Sequence, residues 1–284
     1  TPAGAGGGLL AHQRGGCHLA ASHAIDGVVD KDDGHALAAV GSVHDFGKVI
    51  VNALDAGDLT VFCVALYEAI QAGRHFQMRT AADFVKVFAG IADRPLLRRT
   101  EMCAADAKKC GGLTVIGSHT AKTTAQLAEL QGMKGLEMTA FDSDLVLSGG
   151  LEDEARRVAA AAGAAIKAGR TAVVYTKRQL LKLEGDTKEA ALKRSVRISE
   201  AVCSMVEQID GKPAFIIAKG GITSSDIGVK ALGVREAYVL GQIQPGIPVW
   251  RTDDTSRFPG IPYVIFPGNV GEKDTLKKVL EVLE

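Results

Sequence analysis

Phe215-Ile216-Ile217-Ala218-Lys219-Gly220-Gly221-Ile222-Thr223-Ser224-Ser225-Asp226 sets the fold class of this chain. The apolar run Phe215 to Ala218 reads as a strand, two glycines end it, and hydroxyl residues open a helix. Such a junction presents unpaired backbone N–H groups at the positive end of a helix, where an anionic phosphate can sit. Gly220 and Gly221 let the backbone approach a ligand without a Cβ clash, and Thr223 and Ser224 can cap the helix or donate to phosphate. The same residues also make a plain strand-to-helix turn with a good cap, so this junction alone leaves both readings open.

Two further turns repeat the pattern. Pro267-Gly268-Asn269-Val270-Gly271 follows the strand-like Tyr263-Val264-Ile265-Phe266, and Gly117-Ser118-His119-Thr120 follows Leu113-Thr114-Val115-Ile116. Around them, strand and helix alternate. Strands are expected at 136–139, 171–176 and 236–240, and helices from 121 through Leu130, over 151–168, over 187–209, in the 220s and over 273–283. Leu151, Ala155, Val158, Ala162 and Ile166 recur at spacings of three and four, as an amphipathic helix requires. This alternation implies an α/β fold: a mainly parallel sheet with helices on both faces, Rossmann-like, whose ligands gather at the carboxyl ends of the strands. The three turns would therefore share one edge.

The first part of the chain is less regular. Residues 1 to about 47 give little periodic signal. Lys48 to Ala53 reads as a strand, and Asp58 is placed to cap a helix with Leu59, Phe62, Leu66 and Ile70 on one face. Residues 79–89 read as a second helix carrying Phe84, Val87 and Phe88, and 91–110 as a connector. Two domains are expected: a partial α/β substrate domain over 1–98 and a nucleotide-binding domain over 99–284.

Composition narrows the class. The chain has 284 residues, 46% of them hydrophobic, which suits a globular enzyme rather than a disordered segment. Lys plus Arg and Asp plus Glu both number 33, so no net field draws the protein to nucleic acid or an anionic membrane. Five cysteines, an odd number with no Cys-x-x-Cys pair and no secretory leader, favour reduced thiols in the cytoplasm. The opening Thr1-Pro2-Ala3-Gly4 reads like linker, so an upstream segment is expected.

No Walker A loop and no Gly-x-Gly-x-x-Gly dinucleotide fingerprint occurs, so a nucleotide site here is of a less common type. His119 has no evident carboxylate partner and reads as a turn histidine. His12, Cys17, His18 and His23 match no zinc spacing, and no metal is expected on them.

Taken together, these motifs resemble the four-carbon acid sugar kinases, the threonate and erythronate kinases. Ala218 to Asp226, Val239-Leu240-Gly241-Gln242-Ile243-Gln244-Pro245-Gly246-Ile247-Pro248-Val249-Trp250 and Phe266 to Gly271 are similar to their C-terminal nucleotide-binding domain. Val115 to Leu127 resembles their Gly-Ser turn and the Thr/Gln helix after it, and Arg79 to Phe84 their Arg-Thr-Ala segment, with Asp83 where serine is usual. The family's Ala-Asp-Asp-x-Thr-Gly and Lys-x-Asp-Ser-x-x-Arg-Gly segments do not occur. Asp30-Lys31-Asp32-Asp33-Gly34 lacks the threonine of the first, and Asn52 stands where aspartate is usual.

The resemblance implies an ATP-dependent kinase acting on the terminal hydroxyl of a four-carbon sugar acid. ATP contacts would fall on Ser118, Gly220, Gly221, Ile222, Thr223 and Gly268. Mg²⁺ is expected with the nucleotide, because it neutralises charge developing on the phosphates; Asp226 is the one carboxylate considered as its ligand. The catalytic base and the acid-binding groups are expected upstream of Thr1, with this chain supplying chiefly the ATP-binding part. A non-catalytic nucleotide-binding or regulatory module is the alternative. A Rossmann-like oxidoreductase is weakened by the absent fingerprint. ATP and a small sugar acid are the expected partners, nucleic acid and membrane are not, and the assembly to test is a homodimer.

Overall fold

In the computed structural model, residues 17–21, 27–29, 40, 49–104, 110–179, 181 and 183–284 are described. The chain divides into two compact units, one reaching to Asp93 and the other running from Arg94 to Glu284.

The first unit contains three antiparallel strands, β1 (Cys17–Ala21), β2 (Gly27–Val29) and β3 (Val49–Asn52), in the order β2-β1-β3. Backbone pairing thus extends into the stretch where periodicity is weak, because short strands of small residues leave no pattern to read. Helix α1 (Ala56–Gln71) is capped by Asp55, not Asp58. The Asp55 carboxylate accepts from the backbone N–H groups of Gly57 and Asp58 at 2.8 and 3.1 Å. Buried Asp58 reaches back instead and accepts from Leu54 N–H at 2.8 Å. Carboxylates on both sides of the helix start make a reciprocal cap. The apolar face is also rotated from expectation: Cys63, Ala65, Leu66 and Ala69 are buried, while Ile70 is exposed. Phe84 and Phe88 of α2 (Ala82–Phe88) stack on each other and meet Phe62 and Tyr67 of α1.

The second unit opens with a single helical turn, α3 (Arg99–Met102), inside the expected connector. A seven-stranded sheet follows, made of β4 (Leu113–Ile116), β5 (Leu136–Phe141), β6 (Thr171–Thr176), β7 (Ile216–Lys219), β8 (Ala237–Gln244), β9 (Ile247–Thr252) and β10 (Pro262–Phe266). Their order is β5-β6-β4-β7-β10-β9-β8. The first five in that order run parallel, whereas β9 is antiparallel to both neighbours. The helices are α4 (Ala121–Ala128), α5 (Leu151–Lys167), α6 (Lys188–Gln208), α7 (Gly221–Asp226) and α8 (Thr275–Leu283), and α7 continues through one wide turn at Ile227–Ala231. This is the mainly parallel α/β fold.

Alternation along the central strands explains the layering. Leu113, Val115, Ala172, Val174, Ile216, Ala218 and Tyr263 face a core shared with α5 and α6. Ile116, Val173, Ile217, Val264 and Phe266 face the opposite core, which includes Leu127 of α4 and Leu276, Val279, Leu280 and Leu283 of α8. Burying such an aliphatic side chain stabilises by about 1.5–3 kcal/mol, so α8 is held by its apolar stripe rather than by a side-chain cap.

Candidate functional site

Register puts the three glycine turns at one level. Lys219, the last residue of β7, pairs with Ile116, the last of β4, and with Phe266, the last of β10. Tyr175 of β6 is level with Ile116 on the far side. Strands that lie about 4.8 Å apart and end together must deliver their exit turns side by side.

Backbone bonds hold these turns to one another. Gly117 and Ser118 N–H donate to the Lys219 carbonyl at 3.2 and 3.3 Å, and Gly220 N–H donates to the Phe266 carbonyl at 2.8 Å. The approach is tight enough to require glycine. A Cβ on Gly117 would stand 2.2 Å from Thr223 Oγ1, and Gly220 has φ +126°, a conformation L side chains rarely adopt.

Helix α4 locks the third turn onto the first. Thr120 caps α4, its Oγ1 accepting from Thr123 N–H at 3.2 Å. Thr120 Oγ1 and Thr123 Oγ1 each reach the Gly268 carbonyl, at 3.0 and 3.1 Å, and Thr123 Oγ1 also lies 3.1 Å from Ser118 Oγ. One turn further on, the buried Gln126 amide donates to the carbonyls of Val270 and Glu272 at 3.1 and 2.9 Å. Thr120, Thr123 and Gln126 are three residues apart, so they share one helix face.

Of the residues singled out in the sequence, Ser118, Gly220, Thr223 and Gly268 converge directly. A Cβ on Gly268 would lie 2.9 Å from Ser118 Oγ, and one on Gly220 3.1 Å from Thr223 Oγ1. Gly221 stands beside them with open space where its side chain would be. Ile222 is 75% exposed and packs against little. Neither Thr223 nor Ser224 caps α7, contrary to expectation: its N-cap is Gly220, and Ser224 Oγ donates to the Gly221 carbonyl at 3.1 Å. The N–H groups at the start of α7 therefore lack a side-chain acceptor.

Two cations join the turns, and neither was assigned a role from sequence. Arg178, just past β6, donates through Nη2 to the Ser118 carbonyl and to Thr124 Oγ1, while its Nη1 is buried without a hydrogen-bond partner. Burial pulls its guanidinium below the ordinary value. Lys219 is fully buried, donates to the Pro267 carbonyl at 2.6 Å, and lies 4.0 Å from the centre of the Phe266 ring. Its amine is pulled down to about 8, chiefly by loss of solvent and then by the nearby Lys122 charge. His119 is also pushed below the usual imidazole value, by desolvation and by the Arg178 charge. The threefold polar spacing in α4 was a usable sequence signal. No comparable one marked Arg178, whose contacts come from a neighbouring strand.

Asp226 is committed elsewhere. Ser199 Oγ donates to it at 2.6 Å and Lys230 pairs with it at 2.9 Å, and both hold its carboxyl below the usual range. Among the described residues no cluster of three or more His, Cys, Asp or Glu could hold a metal ion. His12, His23 and Asp30 to Gly34 lie outside the described residues.

A parallel sheet whose carboxyl edge gathers glycine turns, hydroxyls, a buried lysine and a half-buried arginine is an α/β domain with the chemistry to receive an anion. Residues 113–276, more than half of the chain, match the family of nucleotide-binding C-terminal domains, and the chain belongs to that family. This agrees with the resemblance to the four-carbon acid sugar kinases. Among solved structures, the fold is similar to that of a Salmonella typhimurium LT2 protein named as a "putative tRNA synthase", at 14% identity and a TM-score of 0.56, covering 80% of this chain and 50% of that one. It is also similar to Haemophilus influenzae protein HI1011, of family DUF1537, at 16% identity and a TM-score of 0.52, covering 82% and 53%. The chain thus spans about half the length of the structures it matches. Comparison with curated proteins finds no match.

Proposed function

We propose that the turns after β4, β7 and β10 hold the phosphates of ATP, and that this chain is the nucleotide-binding part of a kinase for a four-carbon sugar acid. The convergence of Ser118, Gly220, Thr223 and Gly268 at one strand edge carries the reading. Membership of the nucleotide-binding family supports it. The phosphoryl acceptor is the terminal hydroxyl of a threonate- or erythronate-type acid, an assignment that rests on the sequence resemblance. In phosphoryl transfer the protein chiefly positions groups and stabilises charge, which suits a cradle of backbone and hydroxyl donors. Mg²⁺ enters this reading with the nucleotide rather than through a protein carboxylate cage.

A cytoplasmic homodimer completes the reading; the free thiols of Cys63, Cys103, Cys110 and Cys203 suit a reducing compartment. No helix among the described residues is long and apolar enough to cross a membrane.

Isothermal titration with ATP and with NAD tests the nucleotide, and phosphorylation of threonate and erythronate tests the acceptor. Saturable ATP binding is the expected result, with transfer to either acid when a sugar-acid domain carrying the family's Ala-Asp-Asp-x-Thr-Gly and Lys-x-Asp-Ser-x-x-Arg-Gly segments is supplied. NAD binding without ATP binding would overturn the proposal. ATP binding that never yields transfer, even with such a domain supplied, would favour a regulatory nucleotide-binding module.

A further inference from the structure

Lys219 occupies the junction of the cradle. Its carbonyl accepts from Gly117 and Ser118 of the first turn, its peptide leads into Gly220 of the second, and its Nζ donates to Pro267 of the third at 2.6 Å. One residue therefore touches all three turns. Its side chain is fully buried, and the contacts it makes are a carbonyl and the face of Phe266, not a carboxylate. Lys122 of α4, the charged neighbour that acts on it, repels it. His119 and Arg178 flank the first turn and add no negative charge. A buried ammonium without a counter-charge is costly, and a carbonyl with a ring face offsets only part of that cost. An anion in the cradle supplies what is missing.

We propose that Lys219 is the positioning residue of the cradle, its ammonium holding the Pro267–Gly268 turn in place and answering the charge of a bound phosphate. This rests on the nucleotide reading above. Attraction to phosphate needs the protonated amine, and the bond to the Pro267 carbonyl loses its charge assistance when the proton leaves. Its value of about 8 means that binding strength is present at neutral pH and is lost as the pH rises through that point. Folding stability moves the other way. The amine sits below its ordinary 10.5 in the fold, so between about 8 and 10.5 the unfolded chain holds more protons and stability rises with pH. His119 titrates below the ordinary imidazole range, outside this window.

The test is ATP titration calorimetry on the full chain across about pH 7 to 10, for wild type and for Lys219→Met, with thermal unfolding recorded alongside. Wild-type affinity is expected to hold to about pH 8 and then fall. Lys219→Met, which replaces a buried charge with an apolar chain of similar length, is expected to fold. It should bind ATP about tenfold more weakly at neutral pH, the size of one charge-assisted hydrogen bond, and show no break near pH 8. A folded Lys219→Met that matches wild type in affinity and pH profile overturns the proposal. Should that variant fail to fold, a wild-type profile that is flat through pH 8 overturns it alone. Absence of ATP binding by wild type at every pH removes the nucleotide reading and this inference together, whereas ATP binding with a flat profile removes only the inference.

Discussion

The two ends of the seven-stranded sheet use the same strands and treat polar groups in opposite ways. At the amino edge, before β7 and β10, a surface hollow is lined by Gln208, Ile209, Asp210, Gly211, Lys212, Arg257 and Phe258. Its charges are answered within the fold. Lys212 donates to the Pro259 carbonyl at 2.7 Å, Arg257 to the Ile209 carbonyl at 2.9 Å, and Asp210 pairs with Lys167. At the carboxyl edge, Arg178 keeps a buried nitrogen without a partner, Lys219 is buried with no carboxylate beside it, and Gly221 opens onto empty space. Unspent bonding capacity, more than the presence of a hollow, is what separates the proposed binding edge from the amino edge.

That contrast can be broken by substitution at either edge. Gly221→Val is expected to have the largest effect. A Cβ there meets nothing within 4 Å in the protein, so the fold should survive, and the side chain would extend into the space proposed for a phosphate. ATP affinity should fall on the order of a hundredfold with little change in melting temperature. Unchanged affinity in a folded variant would remove the second turn from the site. Ser118→Ala should cost roughly 1 kcal/mol of binding, about fivefold, if its hydroxyl makes one net bond to the nucleotide. Lys212→Ala sits at the other extreme. It strips one exposed bond from the amino edge, so melting temperature should move slightly and ATP affinity not at all. A loss of affinity there comparable to that of Ser118→Ala would erase the distinction between the edges.

Much of this architecture was legible in the amino-acid order because burial on both faces leaves continuous apolar runs. β4, β6, β7 and β10 are such runs, and α5 and α8 carry clean stripes. β9 was not legible: Pro245-Gly246 and Pro248 signal a loop, yet a hairpin pairs Ile247–Thr252 with β8 and β10. Gly246, at φ +75°, makes the turn, and its N–H donates to Gln242 Oε1 at 2.7 Å. At the site, the glycines and Ser118 were visible because backbone approach demands small residues. Lys219 gave no such signal, since a lysine ending an apolar run usually marks the return to solvent. Only the register of three strands, brought together from distant parts of the chain, buries it. Asp226 shows the converse: a carboxylate close in sequence to the glycines is drawn away by Ser199 and Lys230.

Hydrogen–deuterium exchange with and without ATP tests the central claim most directly, because it reports where the nucleotide slows backbone exchange. Protection should appear jointly over 117–123, 219–224 and 267–271, with the amino edge at 208–212 and 257–258 unchanged. Protection confined to the amino edge, or to one turn without the other two, would contradict the convergent cradle.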